Sequence, residues 1–204
     1  MKLVNRGAEA SIFLGSYLGR KCVVKVRGRK PYREKTLDGR IIRERIRVEC
    51  NLLSRAKKAG VRTPVIWKID LNAGTIVMEF IGGKTLKRQL LEDCGTGAEK
   101  LCSEMGKEIA KLHSSGLVHG DLTTSNIILH GGKLVFLDFG LGEISQKIES
   151  KAVDLLVLRK TFAATHFRMM EKWKAVEDAY ARGFGGAGAV LRRMKEVEAR
   201  ARYY

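Results

Sequence analysis

Four side chains spread along the sequence have the types needed to handle a nucleoside polyphosphate. They are Lys25 in CVVKV, Asp121 and Asn126 in HGDLTTSN, and Asp138 in LDFG. Clustered phosphate charge calls for fixed cations, and Lys25 offers a point charge for α/β-phosphates. A lysine buried for that purpose needs a counter-ion, or its charged form becomes costly. A helical glutamate downstream would supply it: Glu49, just before Leu52 and Leu53 on an inward stripe, with Glu44 as the alternative. Asp138 offers a hard carboxylate for Mg²⁺, and Asn126 an amide oxygen for a second ion. Asp121 is placed to orient an attacking hydroxyl or water, or to accept its proton.

Further residues fit the same chemistry. Gly7, with Glu9 and Ala10 beside it, reads as a turn covering the phosphates, although a single glycine gives less backbone freedom than a glycine-rich loop. Met78, Glu79, Phe80 and Ile81 match a hinge whose backbone groups would hold adenine, so Glu79 and Ile81 join the expected ATP-binding set. His119 is expected to pack and hydrogen-bond within its loop. Asp154, an acid inside an apolar run, either ties down that loop or sits on a helix surface. The order of these pieces is that of the protein-kinase signatures. Two cations usual in that pattern are missing. Gly120 replaces the arginine that would pair with a phosphorylated activation loop, and Thr123 replaces a lysine near the γ-phosphate. No A-P-E follows LDFG, and the chain after Gly140 is too short for the usual peptide-docking helices. These departures predict a slow catalyst without a formed peptide groove.

The elements that must position these residues can be read from the patterning. Residues 1–26 alternate apolar and polar groups, with Gly15 and Gly19 as punctuation, and read as strands joined by turns. Residues 28–40 read as a mobile basic loop. From Ile41 the recurrence of Ile42, Ile46, Glu49, Leu53 and Ala56 predicts a helix ending at Gly60. VIWKIDLNAGTIVMEF reads as a hairpin turning at Asn72-Ala73-Gly74. After Gly82-Gly83 the chain becomes mostly helical, beginning with a helix marked by Leu101, Met105, Ile109 and Leu112. Two short strands surround His130-Gly131-Gly132. Residues 151–173 read as one buried helix, residues 183–188 as a flexible joint, and the last helix carries Val190, Leu191, Met194 and Val197 opposite a basic face. The expected fold class is α+β: a minimal two-lobed protein-kinase-like fold with a β-rich N-lobe (1–80) and a reduced helical C-lobe (81–204) ending in a basic tail.

Composition narrows the function classes. Hydrophobic residues make up 45% of the chain, enough for a real core. Cys22, Cys50, Cys94 and Cys102 are widely spaced and form no C-x-x-C pair, which argues against zinc and disulfides and for a reducing cytoplasm. No apolar run approaches the ~20 residues of a membrane span. The net charge of +17 is clustered, with nine Lys/Arg between Arg27 and Arg47 and more at Arg192, Arg193, Lys195, Arg200 and Arg202. Such clusters suit a phosphate backbone, whereas the scarcity of aromatic residues among them (Tyr32, Tyr203, Tyr204) disfavours single-strand readout.

NRGAEASIF, VVKVR, ERIRVECNLLSRAKKAGVRTP, HGDLTTSNIIL, LDFGLGEIS and KAVDLLVL closely resemble the small atypical serine/threonine kinase subunit family of the KEOPS complex, the machinery of threonylcarbamoyladenosine modification of tRNA. The resemblance spans nearly the whole chain. It implies a minimal kinase fold, ATP and Mg²⁺ as cofactors, and ATP hydrolysis or autophosphorylation. The partners it implies are the threonylcarbamoyltransferase subunit and the other KEOPS subunits. The chain ends RARYY rather than in the family's glycine- and arginine-rich tail. A stand-alone serine/threonine kinase and a non-catalytic tRNA-binding module are the competing readings. Retention of Lys25, Asp121, Asn126 and Asp138 together weighs against the last.

Overall fold

The computed structural model describes residues 1–7, 9–30, 32–93 and 95–200; Cys94, Arg202, Tyr203 and Tyr204 therefore lie outside the described residues. The chain opens with strands β1 (Lys2–Arg6), β2 (Ser11–Tyr17) and β3 (Arg20–Val26), followed by the long helix α1 (Lys35–Lys58) and the hairpin β4 (Ile66–Asp70) and β5 (Thr75–Glu79). These five strands form one antiparallel sheet in the order β1-β2-β3-β5-β4. Lys25 on central strand β3 lies opposite Ile12 on one side and Ile76 on the other. Helix α1 packs on this sheet through Ile46 and Cys50, which meet Ile76 and Met78.

Helix α1 begins six residues earlier than the apolar periodicity predicts, so residues 35–40 are helix, not loop. Thr36, Asp38 and Gly39 are weak helix formers, and interior glycine alone costs about 0.5–1 kcal/mol. Local hydrogen bonds overcome this. The Glu34 carboxylate accepts from the N–H groups of Thr36 and Leu37, both at 2.8 Å. Asp38, 1% exposed, accepts from the Lys30 N–H at 3.0 Å and from Arg33 at 3.4 Å, fixing the preceding segment against the first turn.

The second part is helical around two small sheets. Strand β6 (Lys84–Thr85) leads into α2 (Leu86–Glu92) and α3 (Thr96–Ser114). Strand β7 (Leu117–Val118) precedes a 3-10 turn (Thr124–Asn126) and the strands β8 (Ile127–His130) and β9 (Lys133–Phe136). Strand β10 (Glu143–Ile144) then leads to α4 (Ile148–Thr165), a 3-10 segment (Phe167–Lys172), α5 (Trp173–Gly183) and α6 (Ala187–Arg200). Strand β6 pairs with β8 and β8 with β9, while β10 returns to pair with β7. The main core joins Leu52 and Leu53 of α1 to Met105 and Ile109 of α3, Phe162 of α4 and Tyr180 of α5.

Two expectations change here. Residues 151–173 are not one buried helix. Helix α4 ends at Thr165, His166 leaves helical geometry, and Val153 (42% exposed) and Phe167 (67%) face outward. A nearly all-apolar run has no polar face to fix its phase, so periodicity could not place the break. Of residues 183–188 only Phe184, Gly185 and Gly186 lie between helices, and the Ala187 N–H donates to the Phe184 carbonyl at 2.9 Å across them.

Helices α3 and α5 meet at Gly106, where an added Cβ would fall inside contact distance of the Val176 carbonyl and 3.0 Å from the Ala179 methyl. Gly106→Ala should therefore destabilise the protein by about 1–3 kcal/mol through overpacking. Thermal unfolding would read this as a Tm lower by roughly 2–4 °C per kcal/mol. An unchanged Tm would refute the close approach.

Candidate active site

Lys25 on β3 and Arg27, one residue past its end and still paired through its N–H to the Gly74 carbonyl at 2.9 Å, fall on the same side, facing α1. One carboxylate serves both. Glu49 Oε1 accepts from Lys25 Nζ at 2.6 Å, and Glu49 Oε2 accepts from Arg27 Nη2 at 2.7 Å. All three residues are buried, Glu49 to 1% exposure. Glu44 is exposed and faces Arg47 instead. Lys25 Nζ also donates to Asp138 Oδ1 at 2.6 Å, which joins the sheet to the LDFG turn. Burial alone would raise the Asp138 carboxyl above its ordinary range. The Lys25 ammonium, a hydrogen bond from the Gly140 N–H and the Arg27 charge together hold it below that range. Asp138 adopts a left-handed backbone (φ 54°), uncommon for a residue with a side chain. Cys50, beside Glu49, is no thiolate nucleophile: burial, then the Glu49 charge, pushes its thiol up to about 11.

The loop of HGDLTTSN is fixed by three groups. Asn126 Nδ2 donates to the Asp121 carbonyl and to Asp121 Oδ2, both at 2.9 Å. His119 Nε2 donates to the Leu137 carbonyl at 2.9 Å, and Nδ1 accepts from the Asp121 N–H at 3.3 Å. That pattern is the neutral Nε2–H tautomer, in keeping with burial pushing the imidazole below its usual pKa. Asp154 on α4 settles its open alternatives by position: it is 2% exposed and accepts from the His119 N–H and the Gly120 N–H, both at 2.9 Å. Behind it His113 Nε2 lies 3.2 Å from Asp154 Oδ2, and His113 Nδ1 lies 2.8 Å from the Tyr180 hydroxyl.

Gly120 has a steric reason as well as a charge consequence. Its φ is +81°, and a Cβ there would run into the Leu141 carbonyl and reach 2.9 Å from the Gly142 N. The chain after Asp138 turns back at once, with the Gly142 N–H on the Phe139 carbonyl at 3.0 Å, and enters β10 against β7. The short segment itself excludes a side chain at 120.

A cavity of about 220 Å³ gathers Gly7, Glu9, Lys25, Arg27, Asp121 and Asp138. Glu79 and Ile81 line a separate cavity of about 390 Å³, with Arg62 and His130. The Glu79 side chain there accepts from the Val65 N–H at 3.1 Å. Sequence reading missed Arg27 as a site residue and counted it among the surface arginines, although it is only 6% exposed. Its position two residues beyond Lys25 on a strand was the available signal. The donor set suits Mg²⁺, which takes one or two protein oxygens and keeps several waters.

The chain matches the RIO domain family over residues 18–157. It is 40% identical to the KEOPS complex subunit Bud32 of Pyrococcus abyssi, covering 100% of this chain and 96% of that one. A probable bifunctional tRNA threonylcarbamoyladenosine biosynthesis protein of Methanobrevibacter smithii is 44% identical over 98% of this chain, which spans only 36% of that relative. Among solved structures, WaaP in complex with acyl carrier protein superposes with a TM-score of 0.66 at 16% identity, covering 97% of this chain and 88% of that one. That likeness is one of fold, a kinase-like α+β architecture.

Asp154 gives a pH prediction. Burial opposes its ionisation, but the His113 hydrogen bond and the charges and N–H groups around it hold its carboxyl below the usual range. Its contribution is therefore complete above the unfolded value near ~3.9 and is lost as pH falls through the lower folded value. Asp154→Asn should lower stability at neutral pH by about 2–3 kcal/mol and flatten the fall in Tm as pH drops below about 4. Equal acid sensitivity of the two proteins would contradict this.

Proposed function

The chain belongs to the RIO-domain family, and from that membership we propose that it is an atypical Mg-ATP-dependent kinase or ATPase subunit of a KEOPS complex, supporting threonylcarbamoyladenosine modification of tRNA. The observation that carries the reading is the triad in which Lys25 is shared by Glu49 and Asp138 at 2.6 Å each, beside Asp121 and Asn126. Relatives named as KEOPS subunits or as tRNA threonylcarbamoyladenosine biosynthesis proteins set the biological context.

In this reading Lys25 releases Asp138 and turns to the α/β-phosphates, still held by Glu49. Asp138 and the Asn126 amide oxygen would hold Mg²⁺, which would neutralise phosphate charge. Asp121, kept in place by Asn126 and by His119, orients the attacking hydroxyl or water and accepts its proton. Gly7 and Glu9 cover the phosphates from the β1–β2 turn. The Glu79 carbonyl and the Ile81 backbone would hold adenine, because the Glu79 N–H donates to the Val65 carbonyl at 2.8 Å and its carboxylate accepts from the Val65 N–H. Phosphate goes to water or to a residue of the complex, because the segment after Asp138 folds straight back to β7 and offers no peptide shelf. The threonylcarbamoyltransferase subunit and the other KEOPS subunits are the proposed partners. The exposed Arg29, Lys35, Arg40 and Arg47 offer a basic surface to tRNA.

Two measurements test this. Phosphate release from Mg-ATP, in the presence of the transferase partner and tRNA, should fall about 100-fold or more in Asp138→Ala. Absence of turnover by the wild type would refute catalysis and leave a binding module, while efficient transfer to unrelated peptides would favour a stand-alone kinase. In a tRNA titration, log K should fall against log salt with a slope of about −3 or steeper, each neutralised phosphate contributing roughly −0.9. A flat response would exclude phosphate contacts as the source of affinity.

A further inference from the structure

Arg27 is a buried guanidinium that the usual set of phosphate-handling residues does not include. Nη2 is engaged with Glu49, Nη1 lies 3.9 Å from Glu9 Oε2, and the buried Nε–H has no acceptor. A guanidinium carries five donors in a rigid fork, and leaving one buried and unmade is costly. Gly140 lets the backbone of the LDFG turn pack directly against the guanidinium, since a Cβ there would sit 2.6 Å from Nη2 and 3.0 Å from Asp138 Oδ1. Arg27 and Gly140 line one cavity with Lys25, Asp121 and Asp138.

The anion now facing Arg27 from the cavity side is the chain's own. Glu9, on the turn between β1 and β2, pairs with Arg45 of α1 and approaches Arg27. A carboxylate and a terminal phosphate present similar pairs of oxygens to a guanidinium fork, and the phosphate carries more charge. Thr123, meanwhile, leaves the HGDLTTSN loop without its cation.

Building on the reading of this cavity as a nucleotide site, we propose that Arg27 is its second side-chain cation, binding the terminal phosphate of a nucleoside triphosphate, and that Glu9 holds that position while it is empty. Lys25 serves the inner phosphates common to di- and triphosphate; Arg27 serves the outer one. The site then distinguishes ATP from ADP through a residue just past β3, not through the HGDLTTSN loop. Arg27 also aligns Glu49, and a role confined to that alignment would act through Lys25 on both nucleotides alike.

Calorimetric titration of the full chain with the β,γ-imido analogue of ATP and with ADP, both with Mg²⁺, separates these roles. Arg27→Gln should weaken the triphosphate analogue by about ten-fold or more while changing ADP by less than about three-fold, and Arg27→Lys should recover part of the loss. Equal weakening of both nucleotides, or of neither, would overturn the proposal. Glu9→Gln, altering a half-exposed side chain, provides the second arm if Arg27→Gln does not fold. It should shift the preference toward the triphosphate by several-fold, and an unchanged ratio would count against the proposal. Failure of the wild type to bind either ligand would instead refute the nucleotide reading itself.

Discussion

The site depends on one buried carboxylate between two cations. Glu49 holds Lys25 with one oxygen and Arg27 with the other, and Lys25 in turn holds Asp138. Such a cluster is stable only when complete: removing one partner of a buried ion pair typically costs about 3–5 kcal/mol, because the other charge is left unmatched. Ile46 and Cys50 anchor α1 on Ile76 and Met78, and Glu49 then faces Lys25 on β3 and Arg27 just past its end. Apolar packing sets the placement, and the ion cluster makes it specific.

Asp154 has the same role for the other half of the site. It receives the two N–H groups just ahead of Asp121 and is itself held by His113, which is backed by Tyr180. The HGDLTTSN loop is thus fixed from behind by α3, α4 and α5. The chain returns from Asp138 into β10 within a few residues. Gly120 and the truncated segment are one feature: the Leu141 carbonyl occupies the space that a side chain at 120 would need.

Lys25, Asp121, Asn126 and Asp138 were legible in the sequence because each sits in a short motif whose spacing carries its meaning. The five-stranded sheet and the cores of α1 and α3 were legible through periods of two and 3.6. What stayed hidden depends on contacts distant in sequence. The Tyr180–His113 bond joins residues 67 apart, and nothing local announces it. The first turn of α1 was hidden because Glu34 and Asp38 override weak intrinsic propensity. Arg27 was misplaced because a cluster of basic residues reads as surface unless the strand period is carried one step past Val26. The break at His166 could not be found in a run with no polar face.

The central claim is that the reach of Glu49, and not only its charge, aligns Lys25 for phosphoryl transfer. Glu49→Asp keeps the charge and withdraws it by one methylene. Single-turnover phosphate release from Mg-ATP by this variant, with its circular dichroism unchanged, is the most direct test. The account predicts a fall of about ten- to a hundred-fold, since a misplacement near 1 Å can cost about that much. Release at the wild-type rate by the folded variant would contradict it.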